Sequence, residues 1–270
     1  MPVFPDDIEF NESGDGPTVL FLPGSFGTGA GWKPIINELG DRFRFVTTSL
    51  LGYGATTERR DNNENTTRQQ IHVIDKLFQR IAEPVNIVAH SYGGLCALAH
   101  AIEGSIKPAS LTLIEANPLE ILKSSGEYGL YANFSNLTRD YFKASESGDQ
   151  DAARHVIDFY GGKGSFDAFP ARVRDYIKLT TPTNILDWSS GTSFRPPLSD
   201  YKNITASTYV IRGGKSHPAM MRIAELLAEN IHNSCIKTID SGSHFLPATH
   251  PIELANLINC HIRELNPTIS

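Results

Sequence analysis

Along the first hundred or so residues, short continuous apolar runs alternate with stretches whose apolar positions recur every three or four residues. Residues 18–22, 43–47, 85–89 and 111–114 are rich in β-branched, aliphatic and aromatic side chains. Runs of this kind suit strands of a parallel sheet covered on both faces. Between the second and third runs, Ile71, Ile74, Leu77, Phe78 and Ile81 form one helical stripe. Thr66 with Gln69, or Thr67 with Gln70, supplies a capping-box start for it. Leu95, Leu98, Ala99 and Ile102 predict a second helix directly after Ser91. The rhythm returns near the end of the chain, with a strand at 207–211 and a helix opened by Ser216-His217-Pro218 that carries Met221, Ala224, Leu227 and Ile231. A strand at 235–239 and a helix from Pro251, carrying Ile252, Ala255, Leu257 and Ile258, close the pattern. Strand alternating with helix predicts an α/β fold, a mostly parallel, doubly wound sheet.

Residues 118–200 break this pattern. They hold 12 of the 25 aromatic residues and read as helical, for instance over 149–160, without a convincing strand. The expected organisation is therefore a core of residues 1–117 and 201–270 with an inserted helical cap at 118–200. Such an aromatic-rich insertion fits a lid over an apolar pocket; it also fits a small helical subdomain whose aromatics serve its own core.

Composition narrows the function. The chain has 270 residues, enough to bury a core without disulfide staples. With 30 acidic against 24 basic side chains and no basic block, a nucleic-acid partner is not expected. The three cysteines, Cys96, Cys235 and Cys260, form no CxxC pair and no disulfide framework. No apolar run approaches the ~20 residues needed to span a bilayer. The start, MPVFPDDIEF, lacks the charged and apolar stretches of a secretory signal. A cytoplasmic protein without a membrane partner is expected, and no oligomeric state can be read.

The chemistry centres on Ala89-His90-Ser91-Tyr92-Gly93. A buried strand runs into a turn of small residues with a serine at its apex, and a helix follows at once. That arrangement holds a hydroxyl exposed at the carboxyl end of the strand, and Ala89 and Gly93 let strand and helix approach closely. The string resembles the G-x-S-x-G nucleophile elbow of the α/β-hydrolase superfamily, with Ala89 in place of the first glycine. A serine hydroxyl needs a base. His244 follows the last predicted strand, and Gly242-Ser243-His244 with Pro251 resembles the superfamily's histidine string. His250 is expected to cap the final helix and His90 to pack.

The resemblance also implies a carboxylate that orients the histidine. Members usually carry an aspartate after the strand at 207–211, where this chain has Ser216, read here as a helix cap. Other members carry the acid at the end of the preceding strand, where Glu115 stands. Glu115 keeps the expected order of serine, acid, histidine; a strand-end ion pair would also explain it. The oxyanion donors implied are the backbone N–H groups of Tyr92 and of Ser25, with Phe26 as an alternative to Ser25. Relatives often read His-Gly-x at that turn, and Pro23 occupies the histidine position here.

Gly52-Tyr53-Gly54 resembles the superfamily's structural G-x-G turn. The glycines from Gly24 to Gly31 lack the Gly-Lys-Ser/Thr ending of a phosphate loop and the dinucleotide spacing, so no nucleotide site is expected. The resemblance implies no cofactor and no metal. Phe26, Tyr128, Phe134, Tyr160, Phe166 and Trp188 are expected to line the substrate pocket. The expected function is cofactor-independent hydrolysis of a small ester, thioester or related acyl substrate through an acyl-enzyme on Ser91. Cleavage of carbon–carbon bonds in ring-opened diketones would use the same residues, and a non-catalytic ligand-binding member of the fold is the alternative from another class.

Overall fold

In the computed structural model, which describes residues 7–60 and 66–265, seven strands form a single sheet. They are β1 (Asn11–Ser13), β2 (Thr18–Leu22), β3 (Arg44–Thr47), β4 (Val85–His90), β5 (Ser110–Ile114), β6 (Ser207–Gly213) and β7 (Ser234–Ile239). Their order is β1-β3-β2-β4-β5-β6-β7, and every pairing is parallel except that of β1 with β3. The first six residues, which carry much of the N-terminal reading, lie outside the described residues.

Alternation along each strand divides the core into two layers, because successive side chains point to opposite faces. Leu20, Leu22, Ile87 and Leu113 face α2 (Arg68–Ile81), α3 (Tyr92–Glu103) and α10 (Pro218–Asn230). Val19, Phe21, Val88 and Ile211 face α1 (Lys33–Leu39) and α12 (Pro251–Leu265). Complete burial of a Leu, Ile or Phe side chain is worth ~1.5–3 kcal/mol, so both layers press on the sheet. That two-sided burial is why the strands read as continuous apolar runs.

Between β5 and β6 the described residues contain helices and no strand. These are α4 (Glu120–Ser124), α5 (Tyr128–Glu146), α6 (Arg154–Gly161), α7 (Ser165–Ala168), α8 (Ala171–Ser193) and α9 (Leu198–Lys202). The helix expected over 149–160 begins later, at Arg154, after a run of turns. A short α11 (Leu246–Thr249) follows β7. The chain runs from β2 outward to β3, then returns to place β4 on the other side of β2. Ligands of open parallel sheets bind at such a switch point, beyond the carboxyl ends of the strands. The turns after β2 and β4 meet there.

Candidate active site

Ser91 stands between the last residue of β4 and the first of α3, with φ +51° and ψ −121°. A non-glycine residue in this region stores ~1–3 kcal/mol of strain, which the surroundings must hold. Four described non-glycine residues have positive φ: Phe26, Ala82, Ser91 and Glu115. All but Ala82 belong to this site. Close packing fixes the elbow. A Cβ on Gly93 would lie 2.3 Å from the Pro23 carbonyl oxygen, and one on Gly24 would lie 2.9 Å from the Ser91 Cβ. Only glycine at both positions lets the turn after β2 approach the serine this closely.

The Ser91 hydroxyl donates to His244 Nε2 at 2.9 Å. On the far side of the ring, Nδ1–H donates to Glu115 Oε2 at 3.1 Å. The other carboxylate oxygen, Oε1, accepts from the Gly213 N–H and the Ser216 hydroxyl, each at 2.7 Å. All three side chains are buried. Burial alone would raise the Glu115 pKa, but His244 and the two donors on Oε1 outweigh it and hold the carboxyl below its ordinary value. Ser216 is therefore not the cap of α10. The His217 ring takes that role, its Nδ1 accepting from the Ala219 N–H at 3.2 Å, while Ser216 turns inward onto Glu115.

Neighbouring aromatic rings fix the histidine further. Tyr160 stacks on His244 with centroids 3.9 Å apart and planes at 13°, and its hydroxyl accepts from Asn117 Nδ2 at 3.2 Å. His90 does more than pack: its Nε2–H donates to the His244 carbonyl at 2.8 Å. Burial, with His244 adjacent, pushes the His90 pKa down to about 3, so its ring is neutral. The His250 ring bonds Ser241 and Thr249.

The turn after β2 is closed by the Gly27 N–H donating to the Gly24 carbonyl at 3.0 Å, with Phe26 at φ +61°. Among the described residues, the backbone N–H groups of Ser25 and Tyr92 donate to no protein acceptor. Their side chains are both engaged. Ser25 Oγ donates to Asp187 Oδ2 at 2.6 Å, and the Tyr92 hydroxyl meets Ser190 Oγ. Asp187 also accepts from the Tyr53 hydroxyl at 2.7 Å and from Arg60 Nη1 at 2.7 Å. Burial opposes the charge on Arg60, but the Asp187 and Glu58 carboxylates raise its pKa above the ordinary value. Asp187 is thus paired with Arg60 and not with His244.

Two cavities adjoin this centre. A cleft of about 260 Å³ is lined by the turn after β2, by Ile157, Phe169, Val173, Tyr176 and Ile177 of the helical segment between β5 and β6, and by Phe245, Pro247 and Ala248. Its lining reaches Gly24 and His90, both neighbours of Ser91, and includes no Asp, Glu, Lys or Arg. A second cavity of about 20 Å³, room for one water-sized group, is lined by Ser25, Tyr92, Leu95, Asn117, Leu119, Asp187, Trp188 and Gly191. Of the six residues expected at a pocket, Phe26 lines the cleft, Trp188 lines the small cavity and Tyr160 touches His244. The other three lie elsewhere. Tyr128 is 66% exposed, Phe134 packs on Phe159 and Tyr160, and Phe166 sits in a small cluster with Ile157 and Ile177. Sequence reasoning missed Tyr53, Arg60, Asn117 and Phe245. Nothing in the sequence signalled the pairing of Arg60 with Asp187, because the two lie 127 positions apart.

Among the described residues no group of three or more His, Cys, Asp or Glu side chains is placed to hold a metal ion. Among the described residues no helix is long and apolar enough to cross a membrane.

The sheet order, the strained serine elbow and the serine–histidine–carboxylate line together define an α/β-hydrolase architecture. The chain belongs to the alpha/beta hydrolase family, whose model matches residues 19–257. It is 25% identical over 159 residues to a pimeloyl-[acyl-carrier protein] methyl ester esterase of Nitrosomonas europaea, covering 54% of this chain and 61% of that one. It is 22% identical over 245 residues to the biotin biosynthesis bifunctional protein BioHC of Teredinibacter turnerae, covering 87% of this chain and 42% of that one. The chain thus matches less than two-thirds of the length of either relative. In fold it is similar to MenH from S. aureus, with a TM-score of 0.76, 18% identity and coverage of 95% and 98%. It is also similar to a thermophilic esterase from Thermogutta terrifontis, with a TM-score of 0.75, 20% identity and coverage of 96% and 93%.

Proposed function

We propose that the protein is a cofactor-independent serine hydrolase acting on a small ester or related acyl compound with an uncharged, apolar part. The observation that carries this reading is the continuous line from the Ser91 hydroxyl through His244 to Glu115. Ser91 attacks the substrate carbonyl while His244 Nε2 takes its proton. Glu115 keeps the remaining ring proton on Nδ1 and offsets the charge that develops on the imidazole. The unpaired N–H groups of Ser25 and Tyr92 receive the oxyanion, a donor pair of the kind worth ~2.7–4 kcal/mol each. His244 then returns the proton to the leaving alcohol, and water resolves the acyl-enzyme by the reverse sequence. The cleft takes the apolar part of the substrate beneath the insertion, which serves as a lid. Two features agree with ester hydrolysis: an ester-cleaving relative, and a cleft lining without formal charge.

The same three residues would serve carbon–carbon cleavage of a diketone, so substrates separate the two readings. The wild-type protein is expected to react with a fluorophosphonate probe at one serine and to hydrolyse p-nitrophenyl esters faster than a ring-opened diketone. Ser91→Ala is expected to abolish labelling and to lower ester turnover by at least ~10⁴-fold with unchanged circular dichroism. Comparable turnover by the variant would sink the proposal.

A further inference from the structure

Helix α8 lies in the insertion, yet its contacts converge on the two residues whose N–H groups face the reacting carbonyl in the mechanism above. Asp187 Oδ2 holds the Ser25 hydroxyl at 2.6 Å. One turn along α8, Ser190 Oγ donates to the Asp187 carbonyl at 3.0 Å and meets the Tyr92 hydroxyl. Arg60 Nη1 bridges the two ties, 2.7 Å from Asp187 Oδ1 and 3.4 Å from the Tyr92 hydroxyl. The remaining Arg60 donors are fixed on Glu58 and on the Leu51 carbonyl. The Arg60 side chain is 0% exposed and that of Asp187 is 1% exposed.

A dry ion pair is a weak route to stability, since well-packed apolar residues often serve as well or better. What it supplies here is direction. Each polar atom in the network has a fixed partner, and two of those partners are the hydroxyls of Ser25 and Tyr92. We infer that Asp187, Ser190 and Arg60 are positioning residues that set the oxyanion hole. On this view α8 is the splint that holds the turn after β2 and the start of α3 at the spacing the tetrahedral oxyanion requires. The inference rests on the serine-hydrolase reading, and it assigns the insertion a part in the chemistry beyond covering the cleft.

Replacing Asp187 would leave Arg60 charged and unpaired in the core, so the test uses the hydroxyls. Ser25→Ala and Tyr92→Phe keep both backbone amides and cut only their ties to α8 and, at Tyr92, the longer contact with Arg60. Each is expected to lower kcat by about 10- to 100-fold with KM nearly unchanged, the size of effect that follows a small misplacement of a reacting geometry. Affinity for an aryl trifluoromethyl ketone, whose hemiketal oxygen occupies the hole, should fall by the same factor. Ser25→Thr, which keeps the hydroxyl, should restore both. Tyr141→Phe removes a buried bond from α8 to α5, between the Tyr141 hydroxyl and Asn184 Oδ1, and should lower Tm while leaving kcat and ketone affinity unchanged. If Ser25→Ala and Tyr92→Phe lower only Tm, or raise KM without weakening the ketone, the splint is overturned. A wild-type protein that fails to react with fluorophosphonate overturns the serine-hydrolase reading and this inference with it. Labelling of wild type with unchanged ketone affinity in the variants overturns this inference alone.

Discussion

Glu115 is the residue at which three segments of the fold meet. It is the first residue past β5, and the parallel pairing of Ile114 with Ile211 sets it beside the end of β6. Its own N–H donates to the Ile211 carbonyl at 2.8 Å, and a φ of +49° turns the side chain out of the sheet register. The carboxylate then lies over Gly213 and Ser216, in the loop where most relatives are expected to carry the acid themselves. The neighbouring strand supplies the charge, and the end of β6 and the loop after it each supply a donor that holds it. Replacing Glu115 by glutamine removes the charge that orients and stabilises the His244 imidazolium, and kcat is expected to fall by up to ~10⁴-fold. Ser216→Ala removes one neutral donor and leaves the His217 cap of α10 intact, so it should cost about tenfold in kcat, as expected for ~1–1.5 kcal/mol, with little change in Tm. Steady-state kinetics on a p-nitrophenyl ester check both. An unchanged rate for Ser216→Ala would show that the Gly213 N–H alone suffices to hold the carboxylate.

Secondary-structure elements were legible in proportion to how fully they are buried. The parallel strands β2 to β6 announced themselves as apolar runs because helices cover both faces of the sheet there. Strand β1 did not, since Asn11, Glu12 and Ser13 are all exposed and its pairing with β3 rests on backbone bonds and a surface ion pair of Glu12 with Arg44. Helices α3, α10 and α12 were readable from apolar spacing after a serine turn or a proline. The serine elbow and the histidine after β7 could be read because each is a local string tied to an element boundary. The Arg60–Asp187 pairing and the cleft lining could not, because they join segments far apart in the chain. The elbow also carries an element-scale prediction. Gly93 lies where α3 crosses the end of β2, and an alanine Cβ there would sit 2.3 Å from the Pro23 oxygen and 2.7 Å from the Leu22 oxygen. Both obstacles are backbone, so α3 must shift. Gly93→Ala is expected to lower Tm, with overpacking costing ~1–3 kcal/mol, and to slow fluorophosphonate labelling by at least tenfold through displacement of the Tyr92 amide. Thermal melts and labelling rates together separate the two effects.

On the scale of the whole molecule, the chain holds neutral imidazoles at the end of β4 and on α12, and this ties stability to pH. His90 sits at the active-site end of β4, where burial, with His244 next to it, lowers its pKa to about 3. His261 on α12 is enclosed by the Thr112 and Ser207 hydroxyls and stacks on Tyr209, and burial lowers its pKa to about 4. An unfolded histidine titrates near 6.5. Between about pH 6.5 and 4 the unfolded chain therefore binds protons at both positions that the native chain refuses, so stability is fully present above 6.5 and is lost as pH falls through this window. Each proton contributes a slope of ~1.4 kcal/mol per pH unit. The unfolded rings are not fully protonated at pH 6, so two give roughly 2.4 kcal/mol between pH 6 and 5, a large part of the 5–15 kcal/mol that holds an ordinary domain together. The Glu115 carboxyl acts in a separate window. Its folded pKa is depressed, so its contribution is present above an ordinary carboxylate pKa near 4.5 and is lost only below that. His261 is remote from Ser91, which makes His261→Gln the informative variant. Urea unfolding at pH 7.5, 6.0 and 5.0 should show the wild type weakening steeply and the variant losing one histidine's share of that slope, even if it starts less stable; His100 and His217, also held below their ordinary pKa by burial, keep theirs. Stability that stays level from pH 7.5 to 5.0 would mean that these rings reach solvent protons without unfolding.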